Sequence, residues 1–551
     1  MSAQRIASPA PRVFAALMLV LSAICAVAVL ATRNFYDDEL LSLPIITNSP
    51  HAILHFSNTA DVHPAGMYLL AHVALYLMPS FRWMNLLPTA VFYVGLTVFV
   101  LSLAPRFQQT ASRTLFLLLA TLHPQLFLWG TSYRWYSWWT GLALTTLVIA
   151  LQPRHSDPKL SLTRSAVIGV LLAALFYINY ITLLFALALI ASAAVRYGRT
   201  NPNALKTSLI ATAVFVILIA PQVHILLRTH IAHSSAQRIS ILGSFARLAQ
   251  ATFASEGYLP WHPLAVATAI TFAGLLAAGL WIRTRSATAV PEETTRSPLR
   301  SISFFAVTFF LLVAISGLGG KPRNGLLLVP VFALMLAHVG SRLPTRVQQA
   351  ATVLVLVWSA VGIGHMLART GLTKSMMIER PEQVAAFIRS TAPYGCAVIV
   401  TSDAPLAFAV SHPQYPRTIL LSQFTTPIAN SAATLASECT HARLYIAHTY
   451  VVGSTEWAAS LESELDSAAS LIEGPPHIAS FSPDPDAARK RALGSLPGFG
   501  TDLGSVTRLP DYRYTVVSGP IDRSALQQLR SRLPDLCLPE ECLSPTAPDP
   551  Q

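Results

Sequence analysis

Residues 13–41, VFAALMLVLSAICAVAVLATRNFYDDELL, join an apolar stretch of twenty residues to a run of three acids. A helix of about 20 apolar residues is long enough to cross the hydrocarbon core of a bilayer. The whole chain of 551 residues has the same character, with 53% hydrophobic and only 12% charged residues. Its mean hydropathy is +0.51. Since soluble proteins contain about 25% charged residues, this composition is typical of a membrane protein.

Apolar stretches of this kind recur along the chain and predict a polytopic α-helical membrane protein with eleven transmembrane helices. They lie at 13–32, 84–104, 114–130, 136–151, 165–181, 182–195, 208–226, 262–282, 301–320, 322–340 and 347–368. Residues 65–79 are also apolar, but they are fewer and include His72, so we predict an interfacial or re-entrant helix there. The apolar core of the first stretch is longer than the roughly 7–15 residues of a signal peptide, which favours an uncleaved span.

The basic residues between these stretches predict the orientation of the chain. With the N-terminus inside, the inner segments hold sixteen arginines and lysines, and the longer outer loops hold eight. This arrangement follows the positive-inside rule, so the predicted topology is N-terminus inside and C-terminus outside. The net charge of +12 arises mainly between the apolar stretches. The chain has no dense basic run with interleaved aromatic residues, so we expect no nucleic-acid partner.

The composition changes after residue 370. Eighteen of the 26 acids lie beyond this point, and no stretch there is long and apolar enough to span a membrane. We therefore expect a transmembrane domain at 1–370, with its first outer loop at 33–83. We expect a small extracytoplasmic α/β domain at 371–551, ending in a loose Pro-rich tail. Residues 380–412 predict a helix, a strand and a second helix, and the later segments predict a strand at 442–450, a helix at 454–473 and a strand at 512–519.

The cysteines agree with this division. Cys25 lies in the first apolar stretch, where it resembles any small apolar residue. The other four, Cys396, Cys439, Cys537 and Cys542, all lie in the outer domain. An even number of cysteines in an oxidising compartment indicates disulfides or free thiols rather than a metal site, and three pairings are open.

The predicted topology gathers acids and cations on the outer side of the membrane. The acids that face outward are Asp37, Asp38, Glu39, Asp61 and Glu256, and the first outer loop that holds four of them also contains His63. The outer ends of later spans and the loop 227–261 contribute Arg134 with Tyr136, Asn179 with Tyr180, Arg228, Arg238, Arg247, Lys321 and Arg323. Carboxylates and fixed cations thus share one membrane face.

Each of these features taken alone has an ordinary structural interpretation. The acidic run could begin a solvated helix, since acids are favourable near a helix N-terminus. The segment RWYSWW, residues 134–139, could be an aromatic belt with one snorkelling arginine. His63 could simply shape its loop, and Lys321 and Arg323 could be interfacial anchors. These interpretations weaken because all four would have to hold on the same face.

A lipid-linked phosphate sugar is a substrate that needs both kinds of group at an outer membrane surface. Arginine offers a planar fork to phosphate oxygens. A carboxylate could act as general base toward an acceptor hydroxyl that attacks the anomeric carbon. The cations would then stabilise the negative charge that develops on the leaving phosphate.

The order of these motifs resembles that of a known family. The chain is similar to the GT-C glycosyltransferases of the protein O-mannosyltransferase-like and lipopolysaccharide-core transferase group. The similarity lies in four segments that follow one another in this order: DDELLSL, DVHPAGMYLL, FRWMNLLPTAVFYVGLTVFVL and SYRWYSWW. That pattern has an Asp-Glu pair in the first outer loop, Asp-x-His-Pro-Pro before an interfacial helix and Arg-x-Tyr after the third span. A His-Tyr pair and an Arg-Tyr before a Pro-containing span follow. The resemblance covers roughly residues 10–370 and not the outer domain.

The resemblance implies roles for individual residues. Asp38 and Glu39 match the Asp-Glu pair beside Asp37, with Asp38 as the expected base or metal-linked carboxylate. Asp61 and His63 match the Asp-x-His. The remaining matches are Arg134 and Tyr136 for the Arg-x-Tyr, Tyr180 for the second member of the His-Tyr pair, and Arg323 for the later arginine. Ala65, Asn179 and Asn324 depart from the pattern, which has proline, histidine and tyrosine there.

The sequence therefore predicts an inverting, polyprenyl-phosphate-sugar-dependent transferase whose catalytic loop is 33–83. The expected acceptor is a glycolipid, a polysaccharide or a protein, and the expected location is the bacterial inner membrane with the active site in the periplasm. Asp37, Asp38 and Glu39 are the predicted catalytic residues, and a divalent metal could be held by Asp38 and Glu39, although nothing in the sequence requires one. The alternatives are a transporter or flippase for lipid-linked sugars and a non-catalytic binder of them.

Overall fold

The computed structural model describes most of the helical part of the chain and the strands of its C-terminal part. The described residues are 10–33, 39, 42–59, 63–78, 80, 82–151, 158–197, 202–232, 240–256, 258, 262–285, 298–368, 381–392, 397–401, 406, 418–421, 442–451, 466, 472–481 and 512–521. The chain divides into two compact units. The first unit comprises Met1–Thr32 and Ile53–Thr373, and the second comprises Arg33–Ala52 and Lys374–Gln551.

The first unit is built from helices. Helix α2 (Leu43–Ile46) belongs to the second unit, and α3 (Pro50–Thr59) begins in the second unit and ends in the first. The other helices of the first unit are α1 (Ala10–Thr32), α4 (Ala65–Leu77), α5 (Leu86–Leu103), α6 (Thr110–Leu122), α7 (Pro124–Trp129), α8 (Trp135–Leu151), α9 (Pro158–Ile178), α10 (Thr182–Tyr197), α11 (Pro202–Ala232), α12 (Ile241–Phe253), α13 (Pro263–Arg285), α14 (Pro298–Ile315), α15 (Leu328–Gly340) and α16 (Thr345–Leu367). Short 3₁₀ turns lie at Trp83–Asn85, Ala104–Arg106, Leu318–Gly320 and Pro322–Gly325. A helix covers the greater part of every apolar stretch that the sequence predicts to span.

The helices are those of an integral membrane protein. Within the part of the chain that the structure describes, five helices are long and apolar enough to cross a membrane: Arg12–Thr32, Trp83–Arg106, Ser208–Leu227, Pro263–Ile282 and Thr345–Leu367. Shorter apolar helices lie at Ala65–Leu77, Leu162–Ile178, Thr182–Ala194, Leu299–Ile315 and Leu328–Gly340. Helix α4 has 13 residues, so it is about 20 Å long. Its interfacial or re-entrant placement stays a prediction.

Two predicted spans differ from simple helices. The stretch 114–130 is broken at His123, which has extended backbone angles (φ −61°, ψ 125°), as expected for a residue that precedes proline. The stretch 322–340 begins with a 3₁₀ turn, and its helix α15 begins only at Leu328. Both interruptions place irregular backbone where the apolar pattern alone predicts continuous helix.

The two short helices α6 and α15 form the centre of the first unit. They pack against each other, each has 13 residues, and both are buried along most of their length. A buried polar cluster ties the first turn of α6 to α16: Ser112 Oγ donates to Gln348 Oε1 (2.6 Å), and Gln348 Nε2 donates to Leu343 O (2.8 Å). Buried polar side chains are stable only when they are paired in this way.

Helices α5 and α8 cross closely, and glycine permits the close approach. A Cβ atom added to Gly95 would lie 2.6 Å from Gly141 Cα, and one added to Gly141 would lie 2.8 Å from Phe92 Cα. Small residues at such a crossing allow two backbones to approach closely, which is a common way to pack helices in membranes.

The second unit contains a mixed sheet. Within the described residues its strands are β1 (Ala397–Val400), β2 (Thr418–Leu421), β3 (Ala442–Val451), β4 (His477–Phe481) and β5 (Tyr512–Ile521), in the order β2-β1-β3-β5-β4. Strand β1 is parallel to β2 and β3, and β5 is antiparallel to β3 and β4. Helix α17 (Pro381–Thr391) packs Val384 and Ile388 against Ile399, Tyr445 and Val516.

The α/β prediction for this unit is confirmed, but β2 and β4 were not predicted from the sequence. Both are short, at four and five residues, and neither shows a clear apolar alternation. Two predicted helices, the second one in 380–412 and the one at 454–473, lie almost wholly outside the described residues. The four cysteines of this unit, Cys396, Cys439, Cys537 and Cys542, also lie outside them. Their pairing stays a prediction, and Cys25 is a free, half-buried thiol.

Candidate functional site

The break at His123 creates one side of the candidate site. His123 Nδ1 accepts a hydrogen bond from the Gln125 backbone N–H (3.1 Å), which caps α7. With that nitrogen accepting, Nε2 carries the proton and donates to Thr252 O (3.1 Å) on α12. The hydrogen bonds of this one imidazole therefore join the start of α7 to the end of α12.

The chain then turns between α7 and α8 and places Arg134 at the beginning of α8. Ser137 Oγ donates to Trp129 O (3.1 Å) and Ser132 O (2.6 Å), and Ser132 Oγ accepts from the Arg134 backbone N–H (3.2 Å). These bonds satisfy polar groups of a turn that contains no regular helix. The Arg134 side chain is 5% exposed.

The aromatic residues of this turn lie inside the helical unit and not in a belt on its surface. Trp135 and Trp138 are 4% exposed, and Tyr136 and Trp139 are 1% exposed. Trp139 Nε1 donates to Thr182 Oγ1 (2.8 Å) on α10. The interfacial-belt interpretation of RWYSWW is therefore wrong for these side chains, which line an interior.

Arg323 comes to the same place from a distant part of the chain. It lies in the 3₁₀ turn Pro322–Gly325 and is 8% exposed. Its Cζ lies 5.7 Å from the centroid of the Trp129 ring and 5.4 Å from that of Tyr136. The two rings are edge-to-face at 5.4 Å. The structure thus joins the predicted residues Tyr136 and Arg323 in one cation–aromatic cluster.

Arg134 lies over a third aromatic ring. Its Cζ is 5.9 Å from the centroid of Tyr68 on α4, and Tyr68 is buried beside Phe56. Two guanidinium groups are therefore buried in one apolar helical unit, each over aromatic faces. We call Arg134, Arg323, Tyr68, Trp129 and Tyr136 the arginine–aromatic cluster.

The loop that carries Arg323 is held from several directions. Asn324 Nδ2 donates to Leu318 O (2.7 Å), so this departure from the family pattern has a structural role in the loop. Arg247 Nη1 donates to Gly320 O (3.3 Å) from α12. Lys321 is exposed on the same loop. Of the predicted cations, Arg247, Lys321 and Arg323 are thus brought together, whereas Arg238 lies outside the described residues.

Tyr180 belongs to a different corner, between α9 and α10. Its hydroxyl accepts a hydrogen bond from Gln222 Nε2 (2.9 Å) on α11. The neighbouring Asn179 accepts from the Ile181 backbone N–H through Oδ1 (2.8 Å). Asn179 therefore shapes the turn, which is a sufficient reason for an amide at this position.

Glu256 is the residue that sequence analysis noted on the outer side but did not assign to the site. It is 5% exposed, and its Oε2 accepts from Gln125 Nε2 (2.9 Å) and from Trp129 Nε1 (2.7 Å). Its backbone N–H donates to Gln125 Oε1 (2.8 Å). A signal was present in the sequence, because Gln125 is an amide within an apolar stretch and such a group needs a polar partner.

In the first outer loop, the structure describes one member of the acidic run. Glu39 is fully buried and forms a two-pronged ion pair with Arg33: Nη2 donates to Oε1 (2.7 Å) and Nη1 to Oε2 (3.0 Å). Asp37, Asp38 and Asp61 lie outside the described residues. The His63 carbonyl accepts from Ser57 Oγ (2.7 Å) just before α4.

The Arg33 pair bears on the metal prediction. Both Glu39 oxygens are engaged by a guanidinium, which fits a structural carboxylate better than a metal ligand. Among the residues that the structure describes, no three His, Cys, Asp or Glu side chains are grouped to hold a metal ion. A metal held by Asp38 stays a prediction from the sequence.

The Arg33–Glu39 pair should contribute to stability. Glu39→Ala removes this carboxylate from a buried guanidinium, and breaking a buried ion pair from one side costs about 3–5 kcal/mol. We expect a lower thermal unfolding midpoint in detergent, measured by differential scanning fluorimetry. The variant Arg33→Leu/Glu39→Leu removes both charges and should be less destabilised than Glu39→Ala; a double variant that unfolds at the same temperature as the single one would contradict the role given to the pair.

Comparisons with known proteins give distant structural similarities. No family model and no curated protein matches the chain. It is similar to the crystal structure of ArnT from Cupriavidus metallidurans in the apo state, with a TM-score of 0.49 and 13% identity over 92% of this chain and 98% of that chain. The same ArnT bound to undecaprenyl phosphate gives a TM-score of 0.47 and 14% identity, over 93% of this chain and 98% of that chain.

A second similarity is to the oligosaccharyltransferase of Archaeoglobus fulgidus in the apo form. The TM-score is 0.41 and the identity 11%, over 79% of this chain and 69% of that chain. The solved structures to which this chain is similar thus include an ArnT and an oligosaccharyltransferase.

Proposed function

We propose that this protein transfers a sugar from a polyprenyl-phosphate donor to an acceptor hydroxyl at the periplasmic face of a bacterial inner membrane. The observation that carries the proposal is the arginine–aromatic cluster, in which two guanidinium groups are buried in an apolar, membrane-type helical unit. A lipid phosphate is an anion that reaches such a place together with its own apolar chain.

The cluster suits a phosphate for chemical reasons. Arginine keeps its charge in apolar surroundings and presents parallel N–H donors that match phosphate oxygens. The aromatic rings beside Arg134 and Arg323 stabilise the two guanidinium charges inside the apolar unit. In apolar surroundings each such contact is stronger than it would be in water.

The same cations would assist bond breaking. When an acceptor hydroxyl attacks the anomeric carbon, the bond to the phosphate oxygen breaks and negative charge grows on the leaving lipid phosphate. Fixed cations that face this oxygen stabilise the transition state more than the ground state. Direct displacement inverts the anomeric centre, and the hydroxyl proton passes to a carboxylate.

We assign the base to Asp38, because Glu39 is committed to Arg33 in a buried ion pair. Asp37 would support Asp38 in the catalytic loop 33–83, and a divalent ion bound by Asp38 would be compatible with this role. Asp61, His63, Tyr180, Arg238, Arg247 and Lys321 are proposed to bind donor or acceptor. The acceptor is a glycolipid, a polysaccharide or a protein.

The test is release of free polyprenyl phosphate. Purified protein in liposomes is offered a pool of polyprenyl-phosphate sugars with a crude envelope extract, and the lipid products are separated by mass. The wild type should release the free lipid phosphate, and the donor that is consumed identifies the sugar. A transporter or flippase would deplete the donor from one leaflet without releasing free lipid phosphate, and a binder would do neither.

Arg323→Ala should weaken the reaction in a specific way. Loss of one charge-assisted hydrogen-bonding group costs about 1.5–3 kcal/mol, so we expect kcat/KM for the donor to fall about 10- to 150-fold. Arg323→Lys keeps the charge without the planar fork and should be intermediate. The control is Arg346→Ala, which removes an exposed arginine from the first turn of α16. An equal loss in the control would exclude Arg323 from the site.

A further inference from the structure

We infer that Glu256 is a positioning residue that sets the location of Arg323 through the indole of Trp129, an inference that rests on the proposed function. Glu256 lies in the short segment between α12 and α13 and belongs to the same helical unit as the arginine–aromatic cluster. It does not need to touch a substrate to act. Its carboxylate holds the ring on which the guanidinium lies.

The contacts form a continuous chain from Glu256 to Arg323. Glu256 Oε2 accepts the Trp129 Nε1–H at 2.7 Å, the Trp129 ring centroid is 5.7 Å from Arg323 Cζ, and the Tyr136 ring completes the platform at 5.4 Å from Arg323 Cζ. Trp129 is 1% exposed. Its ring plane is therefore fixed by its packing and by this hydrogen bond.

A carboxylate serves this purpose better than a neutral acceptor for two reasons. A hydrogen bond to a charged acceptor is stronger than one to a neutral acceptor, so it orients the indole more firmly. In apolar surroundings the acceptor also polarises its donor, which increases the electron density of the indole face. A more negative face attracts the Arg323 guanidinium more strongly.

The backbone around Glu256 is built to hold this carboxylate. Ser255 has a positive φ of 67°, which costs energy for a residue with a side chain and persists only where the surroundings enforce it. The Ser255 N–H donates to Gln250 O (2.9 Å) and its Oγ donates to Gln125 Oε1 (3.2 Å). The Tyr258 hydroxyl donates to Trp358 O, and burial raises the pKa of this phenol, so it remains a donor.

Gln125 fixes the carboxylate from the other side. Its Nε2 donates to Glu256 Oε2 (2.9 Å), while its Oε1 accepts from the Glu256 N–H (2.8 Å). The amide thus holds both the side chain and the backbone of Glu256. The further hydrogen bond that Glu256 Oε2 accepts from Trp129 Nε1 connects this carboxylate to the cation site.

The experiment is a double-mutant cycle on binding of undecaprenyl phosphate. Four proteins in nanodiscs are compared by isothermal titration: wild type, Glu256→Ala, Arg323→Ala and Glu256→Ala/Arg323→Ala. We expect Glu256→Ala to weaken binding about tenfold when Arg323 is present and less than about twofold when it is absent, since coupled residues show strongly non-additive effects. A merely structural role would give the same loss in both backgrounds.

Two further variants keep the inference testable if Glu256→Ala does not fold. Trp129→Phe keeps an aromatic ring and removes the N–H that the carboxylate accepts, and it should reproduce the tenfold loss. Glu256→Gln keeps an acceptor oxygen for Trp129 but loses the charge, so its affinity should lie between that of Glu256→Ala and that of the wild type. The control is Gln348→Ala, which opens a buried polar cluster elsewhere in the unit and should lower the unfolding temperature without changing affinity.

The outcomes separate this inference from the proposed function. Failure of the wild type to bind undecaprenyl phosphate would overturn the proposed function and this inference with it. Binding by the wild type, with equal penalties for Glu256→Ala in both backgrounds or full affinity in Trp129→Phe, would overturn the inference alone. A penalty for Glu256→Ala that is large when Arg323 is present and nearly absent in Arg323→Ala supports the inference.

Discussion

Asp38→Asn should remove turnover while the protein remains inserted and folded. Asparagine has nearly the shape of aspartate but cannot take the proton of an acceptor hydroxyl, and loss of a general base typically costs about 10²–10⁴-fold in rate. The measurement is release of polyprenyl phosphate under saturating donor. Because the base acts on the acceptor, we expect kcat to fall and the affinity for undecaprenyl phosphate to change little.

The neighbouring acid provides the matched control. Glu39→Gln changes the same chemical group one residue along the chain, but Glu39 is paired with Arg33, so its loss should appear mainly in thermal stability. Asp38→Asn should show the reverse, with activity lost and stability kept. If Asp38→Asn turns over at a rate near that of the wild type, Asp38 is not the base, whatever happens at Glu39.

Gly141→Leu should prevent the helical unit from folding. The crossing of α5 and α8 brings Gly95 and Gly141 into backbone contact, and even a Cβ at Gly141 would lie 2.8 Å from Phe92 Cα. The neighbour is backbone and cannot rotate away, so the two helices would have to separate. Overpacking costs about 1–3 kcal/mol where side chains can adjust, and more where they cannot.

The measurement is the monodisperse fraction after extraction in mild detergent, followed by size-exclusion chromatography. Gly274→Leu is the matched control, because Gly274 is also a glycine in a membrane-type helix but nothing lies within 4 Å of its added Cβ. This variant should extract as well as the wild type. Normal extraction of Gly141→Leu would mean that α5 and α8 are not held at this crossing.

The sequence predicts much of the helical unit because the physical signal there is simple. An apolar run of sufficient length has few alternatives to a helix in a membrane, and each predicted stretch contains one. The breaks at His123 and before Leu328 were not predicted, since mean hydropathy does not register a local change of backbone. Pro124 was the available signal for the first break.

The candidate site was predictable in part. Arg134, Tyr136 and Arg323 were identified from their order along the chain, and the structure places Arg323 against Tyr136. The partnership of Glu256 with Trp129 could not be found in this way, because the residues are far apart in sequence and hydrogen bonds between distant residues leave no periodic pattern. A lone buried acid and a lone buried amide indicate that partners exist but not which ones.

The burial of the arginine–aromatic cluster has a consequence for the effect of salt. Arg134 and Arg323 are 5% and 8% exposed and lie in an apolar helical unit. Counterions reach such buried groups poorly, so dissolved salt should screen these two cations far less than it screens lysines at the bilayer surface.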